Sequence, residues 1–188
     1  SRAPSAAPAL PDAAPPPPPK PVAASDGDDT VLSCPSGMKL VTLRGFPKGG
    51  AKRGKIKGAA AVAAAKDGKA FCVDAYEYPG RRGARPKVSV NLKEARGLCE
   101  AAGKKLCSGR QWRAACGGTY PYGRSFNPDR CVTEDDDGDE RSLSKAGSMR
   151  RCRSRFGAYD MSGNAAEWTD DGYVRGGDYA AYDEDAAC

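Results

Sequence analysis

Eight cysteines are spread from Cys34 to Cys188, and no two of them stand as a CxxC pair. That spacing argues against a thioredoxin-type dithiol and against a zinc ribbon; an even, scattered set reads as a disulfide frame. Cytosolic thiols stay reduced, so such a frame points to an oxidising, extracytoplasmic setting: periplasm, cell surface or secreted. Which cysteines pair is not decided by the spacing. The chain also contains no histidine. Ser-His-Asp and Cys-His nucleophile pairs, HExxH sites and His-ligated zinc are thereby excluded.

Residues 1–30 hold nine of the fifteen prolines and, alanine aside, offer only Leu10 and Val22 as apolar side chains. No core can be built from that composition. The segment is expected to be a disordered tether, partly polyproline II, with residues 31–188 forming the folded domain. The sequence opens without a charged n-region or an apolar h-region, and it has no run of 18 apolar residues. Any signal or anchor is expected to have been removed or to lie outside this sequence. Val31-Leu32-Ser33-Cys34 has the outline of a lipidation box, but the acidic stretch Asp26 to Asp29 before it is no h-region. Cys34 is therefore read as half of a disulfide.

The net charge of +6 is unevenly placed: residues 1–30 contribute −2 and residues 43–69 contribute +7. The excess sits in a Gly/Lys/Ala-rich stretch with no aromatic residue between Pro47 and Ala70. An anion- or nucleic-acid-binding role for residues 44–57 would call for interleaved aromatics or a patterned helix. The stretch is read as a solvated loop, and no nucleic-acid partner is expected.

From Met38 onward the pattern becomes that of a domain. Met38 to Leu43 reads as a first strand and Ala70 to Glu77 as a second. Asn91 with Glu94 three residues on makes a capping box that starts a helix running to about Ala102 and stopping at Gly103. Ser108 with Gln111 repeats the spacing and starts a second helix, carrying Trp112 and Cys116, that ends at Gly117-Gly118. Beyond it only Ala158 to Met161 and Tyr173 to Arg175 look strand-like. Two helices and a few short strands amid much loop predict an α+β fold held together by cross-links.

Five blocks, in order, carry a resemblance: FCVDAYEYP, VSVNLKEARGLCEAAGKKLCSGRQWRAACGG, YPYG with NPDRC, YDMSGNAAEWTDD and YVRGGDY. Together they resemble the sulfatase-modifying-factor domain, the family of the formylglycine-generating enzyme, from about Cys34 to Cys188. The resemblance implies an elaborated C-type-lectin-like fold, antiparallel and loop-rich. That fold also serves binding proteins and receptor ectodomains, so it does not settle function. Activity in the family depends on two cysteines shortly after the Gly-Gly of the last block, which bind copper(I). Counting from Gly176-Gly177 places those positions on Ala181 and Ala186, neither of which can ligate copper. The serine that usually follows Gly-Gly is Asp178, and the first tryptophan of the family's WEW is Ala166. Cys188 matches the structural cysteine that the enzymes bond to the second helix, here Cys116. The family's closing GFR strand is absent from the sequence, read either as trimmed or as a reduced variant; if trimmed, Cys99 lacks its family-type partner.

The resemblance also implies a structural calcium site at Asp160, Gly163, Ala165 and Glu167: two side chains and two backbone carbonyls. A hard cation takes six to eight oxygens, which a Gly/Asn turn helps to supply. The alternative is that Asp160 and Glu167 cap the loop without metal. The acidic run Glu134 to Glu140 fails as an EF-hand, because Thr133 and Ser144 fall at the first and last ligand positions. The family's other calcium site lies near it, but its asparagine is Val132 here. The run is read as a solvated loop stapled by Cys131 and Cys152. Trp112, Trp168, Tyr120, Tyr122 and Tyr159 are read as core before carbohydrate platform.

The expectation is thus a non-catalytic binding or structural module, tethered to an envelope or a larger assembly, with a protein or cell-envelope component as partner. Calcium is its expected cofactor, copper is not, and all or nearly all cysteines should be oxidised. The alternatives are a copper-dependent oxidase converting a substrate cysteine to formylglycine, and an anion- or nucleic-acid-binding protein using residues 44–57.

Overall fold

The computed structural model describes residues 31–43, 51–52, 55–57, 70–135, 137–139 and 141–188. The proline-rich segment 1–30 lies outside them. The element order is β1 (Val31–Leu32), β2 (Met38–Thr42), β3 (Ala51–Lys52), β4 (Lys55–Lys57), β5 (Ala70–Asp74), α1 (Leu92–Ala101), α2 (Gly109–Cys116), β6 (Glu167–Trp168), β7 (Val174–Arg175) and a closing 3-10 turn at Asp183–Ala186. This is the α+β, loop-rich, disulfide-stapled architecture that the sequence predicts.

β2 and β5 pair antiparallel with Leu40 opposite Cys72 and Met38 opposite Asp74. β5 ends three residues sooner than the sequence suggests, because the chain turns inward there: the Ala75 N–H donates to the Gly37 carbonyl at 2.9 Å and its carbonyl accepts from Tyr159. The basic stretch read as a loop needs a larger correction. β4 pairs with both β3 and β1, with Val31 opposite Lys57 and Leu32 opposite Ile56. Ala158 to Met161 forms no strand; its only ladder contact is the Arg153–Tyr159 bridge.

Both capping boxes form. Asn91 accepts from the Glu94 N–H at 3.0 Å and the Glu94 carboxylate accepts from Asn91 at 2.8 Å. Ser108 and Gln111 repeat the exchange at 3.2 and 2.9 Å. Two orphan N–H groups are satisfied at each helix start, and each cap contributes about 1 kcal/mol. Gly117 closes α2 in the left-handed conformation at φ 81°. α2 buries Gly109, Trp112, Ala115 and Cys116, a spacing of three to four residues that makes one face. That face meets Val41 of β2 together with Ala158 and Met161, with Phe71 and Val73 of β5 at its edge. Truncating a buried aromatic such as Trp112 typically costs 3–5 kcal/mol, so this cluster anchors the domain.

Three disulfides staple the loops: Cys34–Cys72, Cys116–Cys188 and Cys131–Cys152. The last two are the pairs named from the sequence. Cys99 and Cys107 remain thiols, so six of the eight cysteines are oxidised and the expected near-complete frame falls short by one pair. Among the described residues no helix is long and apolar enough to cross a membrane.

Candidate functional site: an acidic turn and the groove beside it

The segment 160–167 runs through the interior as a tight turn. Asp160, Gly163 and Asn164 all have positive φ, at 55°, 73° and 62°. Its N–H groups point outward: Gly163 donates to the Gly176 carbonyl at 2.7 Å and Asn164 to the Val132 carbonyl at 2.7 Å. A Cβ on Gly163 would stand 2.1 Å from the Val132 oxygen, so glycine alone fits this position. The Asn164 side chain accepts from the Ser144 N–H at 2.8 Å and donates to Glu77 at 2.7 Å. The other Glu77 oxygen accepts from the Ala165 N–H at 2.9 Å. Asp160 accepts from Gly147 at 2.6 Å, and Glu167 accepts from the Trp112 indole N–H.

Glu77 and Asp160 are buried and Glu167 half-buried, and the charges of Asp160 and Glu167 act on Glu77. Burial, then the charges of Asp160 and Glu167, pushes Glu77 up to about 9 against the two donors that favour its anion. Burial raises Asp160 to about 6, opposed by the Gly147 N–H. Burial raises Glu167 to about 7, opposed by Trp112 and assisted by the charges of Asp160 and Asp74. Each group is held back from ionising by desolvation, and among the described residues no basic side chain hydrogen-bonds to any of the three.

The four residues expected to hold calcium lie on the segment 160–167, with Asp160 and Glu167 at its two ends and their carboxyls hydrogen-bonded to Gly147 and Trp112 respectively. Among the described residues, no three or more His, Cys, Asp or Glu side chains come together as a metal cluster. The carbonyls of Gly163 and Ala165 would have to complete the oxygen set. The donor set, two carboxylates and two backbone carbonyls, is of the hard-oxygen kind that calcium takes. Glu77 escaped notice in the sequence. No local pattern marks it, since β5 ends at Asp74 and its partners lie at Asn164 and Ala165.

A groove of about 620 Å³ opens beside the turn, walled by Ala166, Arg175, Gly177, Asp178, Ala181 and Glu184, among others. Asp178 and Glu184 are exposed, Ala181 and Ala186 are buried. The wall is fixed from behind, where the Ser162 hydroxyl donates to the Ala186 carbonyl at 2.5 Å and the Tyr120 hydroxyl to Asp183 at 2.6 Å. Cys188 is the one cysteine lining this groove, and its sulfur is bonded to Cys116.

The acidic run near residue 135 closes on itself: one Asp135 oxygen accepts from the Asp137 and Asp139 N–H groups at 3.1 and 3.0 Å. The five aromatics do not form an exposed platform. Trp112 and Tyr120 are buried, Tyr122 stacks on Tyr120, Tyr159 stacks on Tyr76, and Trp168 donates to the Val90 carbonyl at 2.9 Å.

The family model of the sulfatase-modifying factor enzyme 1-like domain matches residues 64–186. The chain belongs to this family. The match spans both capped helices, the acidic turn and the groove's walls up to Asp185, and it stops two residues short of Cys188. No curated protein matches the chain.

Proposed function

We propose that this sulfatase-modifying-factor domain is a non-catalytic, extracytoplasmic binding or structural module, tethered by residues 1–30 and engaging a protein or cell-envelope component. The observation that carries the reading is the state of sulfur in the groove. Copper(I) is soft and is selected by thiolates, so a family-type site needs two closely placed sulfurs. Ala181 lines the groove, Ala186 is buried behind it, and the one cysteine on its wall is tied to Cys116. A groove of about 620 Å³ with Arg175, Asp178 and Glu184 on its walls nevertheless persists, which suits recognition better than oxygen chemistry. Three disulfides favour an oxidising compartment.

Calcium belongs to the same proposal. Asp160, Glu167 and the carbonyls of Gly163 and Ala165 would hold it. The ion would supply positive charge between carboxylates that otherwise resist ionisation. Glu77 stays behind the turn and fixes it through Asn164 and Ala165.

Incubating the purified chain with copper(I), oxygen and a cysteine-containing sulfatase peptide is expected to give no formylglycine above background. Aldehyde formation that disappears in Cys188→Ser would overturn the reading and restore the oxidase alternative.

A further inference from the structure

A second cavity, of about 600 Å³, lies between β5, α1 and the start of α2, on the other side of Ala166 from the groove's remaining walls, and borders the turn at Ala165 to Glu167. Phe71, Val73, Leu98, Trp112, Met161 and Trp168 give it apolar walls. Both remaining thiols line it. Cys99 sits in the last turn of α1, and Cys107 stands immediately before Ser108, the cap of α2. The connection between them turns at Gly103, at φ 66°, and folds back so that the Lys104 N–H donates to the Cys99 carbonyl at 2.8 Å.

We propose that Cys99 and Cys107 form a reversible dithiol site on this cavity wall, which an external disulfide converts to a fourth intramolecular bond. In the first step one sulfur, as thiolate, attacks the reagent disulfide; a mixed disulfide forms and one reagent thiol leaves with the proton. In the second step the other protein sulfur attacks the mixed disulfide and releases the second reagent thiol. The protein dithiol loses two electrons and two protons, and the reagent disulfide gains both. A small disulfide or a thiol–disulfide oxidoreductase supplies the oxidant.

Three observations bear on it. The other six cysteines are bonded, so the chain suits a setting in which such oxidants operate. The two thiols share one cavity instead of facing separate surfaces, and each feels the Asp74 carboxylate. Both thiols belong to half-buried residues, open in part to a small reagent. Closing the bond ties the end of α1 to the start of α2 and removes both sulfhydryls from the cavity.

The test uses the full chain, folded, with excess oxidised glutathione, followed by denaturing alkylation and tryptic mapping. Lys104 and Lys105 lie between the two cysteines, so trypsin separates them unless they are cross-linked. The expected result is loss of both alkylatable thiols and a linked pair of peptides carrying Cys99 and Cys107, reversed by dithiothreitol. Cys99→Ser and Cys107→Ser should each stop at a stable glutathione adduct on the other cysteine. Glutathione adducts on both sulfurs of the unmutated chain without a link, cross-links between chains, or thiols that react only after denaturation would each overturn the proposal. The mapping of the unmutated chain decides the matter even if a variant fails to fold.

Discussion

Removing the Cys116–Cys188 bond by the double substitution Cys116→Ala with Cys188→Ala should cost about 4 kcal/mol. The bond closes a loop with a sequence separation of 72 residues, and the Cys131–Cys152 bond nested inside it shortens the effective loop to roughly 50. Cross-linking a chain of that length removes about 14 cal/mol/K of denatured-state entropy, or about 4 kcal/mol at room temperature. For a domain of this size each kcal/mol moves the melting temperature by about 2 to 4 °C, so the midpoint should fall by about 8 to 16 °C. The single variant Cys188→Ala should fall nearly as far as the double, since either change opens the loop. Differential scanning calorimetry on the three proteins measures this, with intact masses after alkylation confirming the other two bonds. A double variant within about 1 kcal/mol of the parent would refute the reasoning. So would a parent in which Cys188 alkylates without reduction, because the groove would then hold a working thiol.

Gly163→Ala should destabilise by about 2 to 4 kcal/mol, because its Cβ would meet the Val132 oxygen at 2.1 Å in a left-handed backbone; urea denaturation measures it, and a loss below about 1 kcal/mol would contradict the packing of the turn. Glu77, Asp160 and Glu167 have folded-state pKa values raised to about 9, 6 and 7, so their contribution is fully present below about pH 4 and is lost as pH rises through those values. Chelator-stripped protein should therefore melt higher at pH 5.5 than at pH 8. Added calcium binds the ionised carboxylates and should raise the midpoint more at pH 8, an effect that vanishes in Glu167→Ala or Asp160→Ala. A calcium shift equal at both pH values, or absent, would leave the carboxyls as loop caps.

The parts of the fold that were legible in the sequence are those with local signals. Asn91 with Glu94 and Ser108 with Gln111 announce both helices within four residues, and β2 shows its apolar run. β3 and β4 could not be read, because such short Lys-rich strands carry little pattern of their own: β4 is held by pairing with Val31 and Leu32 more than twenty residues away, and β3 by pairing with β4. The acidic turn was found through resemblance, since nothing in Asp160 or Glu167 alone distinguishes a ligand from a cap. Glu77 was missed because its partner Asn164 is 87 residues distant and no short-range pattern connects them. The free state of Cys99 and Cys107 depends on where two helix ends fall around a cavity, which spacing does not encode.

The reach of Glu77 across 87 residues also bears on the order in which the molecule assembles. The turn's left-handed residues are held by Glu77 from one end of the domain, by Val132 and Ser144 from its middle, and by Gly176 from near its close. None of these restraints is available until distant segments have already met. Contacts of such separation slow folding, because loop closure precedes any return from the contact itself. A peptide copied from residues 158–170 would lack every one of these anchors and would neither keep the turn nor gather calcium. The acidic turn is a product of the completed domain, and grafting it elsewhere would require carrying its four distant supports along.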